Sequence, residues 1–121
     1  MEVLEELRGF APVEAVHGNM DEPELMQLLP ARRVVEVEGA RIGMVHIPGA
    51  ASARAERLVS LFPGCDAVVY GHTHVPEATR HGSRWVLNPG SPTERRRAPG
   101  HSMLLLCIEE SRFEPQVVAL P

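Results

Sequence analysis

Ala67-Val68-Val69-Tyr70 is a short apolar run with no alternation, and a glycine follows it directly. Such a run reads as a strand buried within a sheet, and the rest of the chain has to supply the layers around it. Gly71 lets the chain turn sharply off the strand end. His72 and His74 come next, two residues apart. In extended backbone, residues i and i+2 point to the same face, so this spacing predicts two imidazoles presented together at a strand's C-terminal edge. Neutral imidazole is the commonest metal ligand. A surface histidine pair on a loop is the ordinary alternative, and a lone H-x-H leaves both readings open.

The chain has 121 residues, which suits one domain over 1–121. Aromatic residues make up only 4%, so the core must rest on Val, Leu, Ile, Ala and Met. The formal net charge of −4 argues against bulk nucleic-acid binding. Every basic residue is arginine, which excludes a lysine nucleophile or a P-loop lysine. No apolar run reaches membrane-spanning length, and the acidic, amphipathic start is not a signal peptide, so no membrane partner is expected. Cys65 and Cys107 have neither metal nor redox spacing and are expected to be reduced, mostly buried thiols of a cytoplasmic protein.

Punctuation and periodicity lay out the elements. Residues 1–8 read as a helix ended by Gly9, and 13–17 as a short strand leaving through Gly18-Asn19-Met20-Asp21. Asp21 with Glu24 forms a capping box, and the helix that follows stops at Pro30. Residues 33–38 and 41–46 pattern as a hairpin turning at Gly39-Ala40. Ser52 is a plausible N-cap for a helix to about Leu61, ended by Pro63-Gly64. After the strand at 66–70, hairpins are expected over 75–80 with 84–87, and over 102–109 with 112–120. Mixed helix and strand first, strand only at the end, points to an α/β layered domain with an antiparallel closing portion.

Asn19, His46, His72 and His74 all sit where strands end, and strand ends on one sheet edge converge in space. Three imidazoles and a carboxamide oxygen suit a divalent transition metal. Each residue has a plain alternative. Asn19 is a common loop residue, His46 an ordinary strand-end histidine, and Asp21 as good an N-cap as a site residue. Arg95-Arg96-Arg97 reads either as a phosphate clamp or as a solvated charged loop. No G-x-S-x-G elbow, dinucleotide fingerprint or Walker A is present.

The order Gly18-Asn19-Met20-Asp21, Val45-His46, Gly71-His72-Thr73-His74-Val75-Pro76 and Asn88-Pro89-Gly90-Ser91-Pro92 resembles the calcineurin-like metallophosphoesterases, in particular their small bacterial and archaeal phosphodiesterases. The match runs over nearly the whole chain. The resemblance implies a layered α/β fold, a metallophosphoesterase-like β-sandwich flanked by helices. It implies a hydrolase acting on small-molecule phosphodiesters, with Asn19, His46 and His72 matching the ligands of one divalent metal (Mn, Ni, Fe or Zn) and His74 a ligand of a second. A metal-bound hydroxide then attacks phosphorus, and Arg95 and Arg96 are the candidate phosphate-binding residues.

The departures shape the expectation. The family's D-x-H and G-D motifs occur nowhere in the sequence, so the fold is expected to be N-terminally truncated by roughly 50 residues, about one strand–helix–strand–helix piece. The dimetal site would be incomplete without the bridging aspartate. Met20 stands where many members carry a histidine, and a thioether is no general acid. His46-Ile47 replaces His-Gly. Three protein ligands and an open position still describe a catalytic metal site, with weak affinity and slow chemistry expected. A non-catalytic scaffold or relic is the alternative. Uncovered apolar faces and sheet edges lead to the expectation of a homo-oligomer.

Overall fold

The computed structural model describes residues 2–18, 23–94 and 98–121. Two short helices, α1 (Glu2–Arg8) and α2 (Pro23–Leu28), precede a hairpin of β1 (Arg32–Val37) and β2 (Ala40–Val45). Helix α3 (Arg54–Leu61) leads to β3 (Ala67–Tyr70), then β4 (Glu77–His81) and β5 (Arg84–Asn88), and β6 (His101–Glu109) with β7 (Arg112–Leu120) closes the chain. The first five strands form one sheet in the order β1-β2-β3-β5-β4, and β6 and β7 form a second.

Turn chemistry sets the hairpins. Glu38 and Gly39 both have positive φ, 49° and 79°, the signature of a two-residue type I′ turn. The turn therefore lies one residue earlier than Gly39-Ala40, and Ala40 begins β2 fully buried. Pro115 lies within β7, which has β6 as its only partner among the described residues.

The core lies in two layers on either side of the larger sheet. On one face, Leu58, Val59 and Phe62 of the α3 region pack with Cys65, Val68, Tyr70 and Val86. On the other, Ile42, Ala67 and Leu87 meet Phe113, Leu104 and Leu106 of the second sheet. The expected layered α/β architecture is thus helix, sheet and hairpin, and β3 is the strand sealed from both sides.

Several local expectations change. Residues 13–17 form no strand; His17 N–H donates to the Pro30 carbonyl at 3.0 Å, and the segment meets β1 through the Arg33–Glu14 ion pair without joining it in a ladder. Ser52 does not cap α3. Its N-cap is Ala53, left-handed at φ 52° with no side-chain cap bond. Guanidinium groups organise this approach instead. Arg57 donates to the carbonyls of Pro48 and Ser52 at 3.1 Å each and to Ala50, and Arg54 donates to Gly49 at 3.2 Å. Both cysteines are free, but only Cys65 is buried; Cys107 pairs across from Glu114 on the outer face of β6 and is exposed.

Candidate functional site

Three strands of the larger sheet run parallel and end level. Val45 of β2 lies in register with Tyr70 of β3, and Val69 with Leu87 of β5, one residue before Asn88. The chain leaves β2 into His46 and β3 into Gly71-His72, so the sheet itself brings these segments together. Gly71 N–H donates to the His46 carbonyl at 3.1 Å, extending the ladder by one step. The His46 and His72 rings meet edge to face, with centroids 5.4 Å apart and planes at 85°. His46 is bounded by two glycines. A Cβ on Gly18 would lie 3.1 Å from the ring Cδ2, and one on Gly71 would lie 3.1 Å from Nδ1. Both motif glycines are therefore explained by close approach of backbone to a single imidazole.

The loop carrying His72 and His74 is not extended. Their φ values are 73° and 63°, in the left-handed region, so the i, i+2 rule that predicted a shared face does not govern them. L-residues occupy that region at a cost of about 1–2 kcal/mol each and need support from outside the loop. Asn88 supplies it. Fully buried, it donates from Nδ2 to Thr73 Oγ1 at 3.0 Å and accepts from Gly90 N–H at 2.9 Å. Thr73 Oγ1 accepts in turn from Val75 N–H at 3.2 Å, and Thr73 N–H donates to Gly71 at 2.9 Å. One carboxamide thus pins the histidine loop to the Asn88-Pro89-Gly90 turn. In the sequence this residue stands out as a polar residue directly after the apolar Trp85-Val86-Leu87 and as the start of the Asn88-Pro89-Gly90-Ser91-Pro92 motif.

On the α3 side of the same edge, Tyr70 donates its hydroxyl to Glu77, which also accepts from Thr79 at 2.6 Å. The Arg54 guanidinium lies 5.8 Å from the Tyr70 ring centroid. Burial pushes the Tyr70 phenol above its usual range, and the Glu77 carboxylate adds to the shift. An unfolded tyrosine titrates near pH ~10. Above that pH the unfolded chain gives up a proton that the folded chain retains, so this contribution is present below pH ~10 and lost as pH rises further. The melting temperature should therefore fall more steeply between about pH 9 and about pH 11 in the parent chain than in Tyr70→Phe; parallel curves would contradict this.

The donor set suits a transition metal in part. Two imidazoles lie at a spacing that two nitrogens on one ion, at about 2.1 Å each, can adopt. His74 Nδ1 is buried with no hydrogen-bond partner among the described residues, an orphaned donor on the same loop. No group of three or more His, Cys, Asp or Glu placed to hold one metal ion occurs among the described residues. Asn19 and Asp21 lie outside the described residues, although Gly18, bonded to Asn19, touches the His46 ring. Arg95 and Arg96 also lie outside them. Just before them, Ser91 Oγ accepts from the N–H groups of Thr93 and Glu94 at 3.3 and 3.1 Å.

The family model for the calcineurin-like phosphoesterase superfamily domain matches residues 1–111. The chain belongs to that superfamily. Members generally use divalent metals. A probable metallophosphoesterase of Methanothermobacter thermautotrophicus is 34% identical over 121 residues, covering 97% of this chain and 68% of the relative. A probable metallophosphoesterase of Methanocaldococcus jannaschii is also 34% identical, over 98% of this chain and 60% of its own length. The chain thus spans about two thirds of these relatives. Among solved structures, a Thermotoga maritima protein studied by solution NMR superposes with a TM-score of 0.74 at 34% identity, covering 99% of this chain and 74% of that one. Vps29 from Entamoeba histolytica, crystallised with zinc, gives 0.74 at 30% identity over 98% and 75%. Neighbours of this kind carry the same mixed α/β architecture.

Proposed function

We propose that this member of the superfamily is a metal-dependent hydrolase of phosphodiesters. The observation that carries the reading is the meeting of His46 and His72 where β2, β3 and β5 end together. Asn19 is the third donor in this reading, from its place in the Gly18-Asn19-Met20-Asp21 motif. His74 serves a second ion. A divalent ion held there would neutralise charge on the phosphoryl oxygens and lower the pKa of coordinated water. The chain's own residues fix the geometry. Gly18 and Gly71 let the His46 ring lie against backbone, and Asn88 with Thr73 holds the histidine loop in its left-handed form. Arg95 and Arg96 clamp the phosphate in this reading, since guanidinium forks match its oxygens.

The zinc complex of Entamoeba Vps29 supports a metal-holding fold, and the curated relatives' names support phosphoester chemistry. The test is hydrolysis of bis(4-nitrophenyl) phosphate with Mn, Ni, Fe or Zn. Turnover that chelator abolishes and added metal restores is expected, at a rate below that of an intact dimetal enzyme. Metal binding without turnover would favour the second reading, a metal-holding scaffold for other proteins. That reading draws on the sequence itself, which carries neither the D-x-H nor the G-D motif.

A further inference from the structure

Beside His46, on the side away from Gly71, lies a cavity of about 290 Å³ lined by His17, Gly18, Met26, Ala31, Val45 and Ile47 together with the His46 ring. Among the described residues, no carboxylate, guanidinium or hydroxyl lines it. Met26 and Ile47 are 43% and 51% exposed, large apolar side chains left open to solvent around a concave surface. The cavity is continuous with the candidate centre, because His46 belongs to both. Apart from the imidazoles of His17 and His46, the described walls are apolar and offer a phosphate anion no partner. An apolar group tethered to a phosphate at His46 and His72 would enter it and cover both side chains.

We propose that this cavity is the subsite for one ester arm of the substrate and that this arm is aromatic, so that the chain prefers aryl phosphodiesters to small alkyl ones. The proposal rests on the phosphodiesterase reading and adds its substrate class. Size supports a ring. An apolar cavity of about 150 Å³ is enough to hold benzene, and this one has room for a larger ring system. Ligand sites in general combine apolar walls with a few convergent polar groups, here the imidazoles of His17 and His46.

The test compares diphenyl phosphate with dimethyl phosphate on the zinc-loaded chain carrying ¹³C-methyl methionine, with the Met26 signal assigned by its loss in Met26→Leu. Diphenyl phosphate should bind at least about 10-fold more tightly than dimethyl phosphate, the discrimination that modest differences in apolar burial provide. It should also shift the Met26 methyl resonance, which dimethyl phosphate should leave in place. Ala31→Leu, which fills the cavity, should reduce the preference to within about twofold, and the solvent-exposed Ile47→Asp should do the same by charging the wall. Equal binding of the two phosphates, or an unmoved Met26 signal, overturns the aromatic subsite while leaving the phosphodiesterase reading in place. Failure of both phosphates to bind overturns both together.

Discussion

His72→Gly should bind its divalent metal about 100-fold more weakly than the parent chain, with little change in the stability of the metal-free fold. The two halves of this expectation have separate causes. The imidazole of His72 is the group that meets His46 at the sheet edge, and its removal leaves that ion one nitrogen short. The backbone of His72, at φ 73°, sits where an L-residue is strained by about 1–2 kcal/mol, which glycine relieves. Glycine's extra freedom in the unfolded chain takes back about 0.5–1 kcal/mol. The metal-free melting temperature should therefore stay close to that of the parent. Metal at about 100 times its Kd stabilises a binder by about 2.7 kcal/mol, and that increment should fall to about 0.4 kcal/mol in the variant at the same metal concentration. Equal metal-induced stabilisation of parent and variant would remove His72 from the ligand set.

Gly43→Ala should cost about 1–3 kcal/mol, the usual penalty for overpacking a filled core. Gly43 lies in β2, where a Cβ would come within 2.4 Å of Phe62 Cγ and 2.9 Å of Phe62 Cβ. Phe62 is 5% exposed and packs among Leu58, Val59 and Val68, so the ring has no free direction in which to retreat. The glycine thus sets how closely the α3 layer approaches the sheet. The consequence reaches the candidate site, because Arg54 and Arg57 of α3 hold the carbonyls of the loop that follows His46. Gly82→Ala is the control. Gly82 has φ 67° but nothing within 4 Å of an added Cβ, so its cost is backbone strain alone. Thermal denaturation of Gly43→Ala, Phe62→Leu and the double variant checks the cause. The double variant should be more stable than the sum of the two single changes predicts, because the smaller side chain makes room for the new methyl. Strict additivity would place the cost of Gly43→Ala elsewhere.

The strands and hairpins were legible because their signals are local. The apolar run of β3, the alternation of β1 and the turn residues at Gly39 and Gly82 each depend on a few neighbours. The convergence of His46 and His72 was legible for the same reason, since both follow directly from strands whose parallel pairing the layered fold requires. What was not legible depends on distant partners. The left-handed backbone at His72 and His74 is held by Asn88, fifteen residues beyond Thr73 in the chain, and no local pattern announces that bond. The start of α3 is organised by Arg57 rather than Ser52, because guanidinium donors satisfy the loop's carbonyls. Residues 13–17 have the composition of a strand, but a strand exists only through its ladder, and this segment meets β1 through the Arg33–Glu14 side chains instead of backbone bonds. Cys107 faces outward because its position in β6 is opposite in parity to Leu104, Leu106 and Ile108, which face the core.

Metal content per chain, measured on protein purified without chelator, tests the central claim most directly. One ion per chain, lost in the His46→Ala and His72→Gly variants, is the result predicted for a centre built from Asn19, His46 and His72. Two ions per chain, with the second lost in His74→Ala, would extend the same centre to its partner site. No bound metal in the parent chain, even when Mn, Ni, Fe and Zn are supplied in excess, would contradict the account.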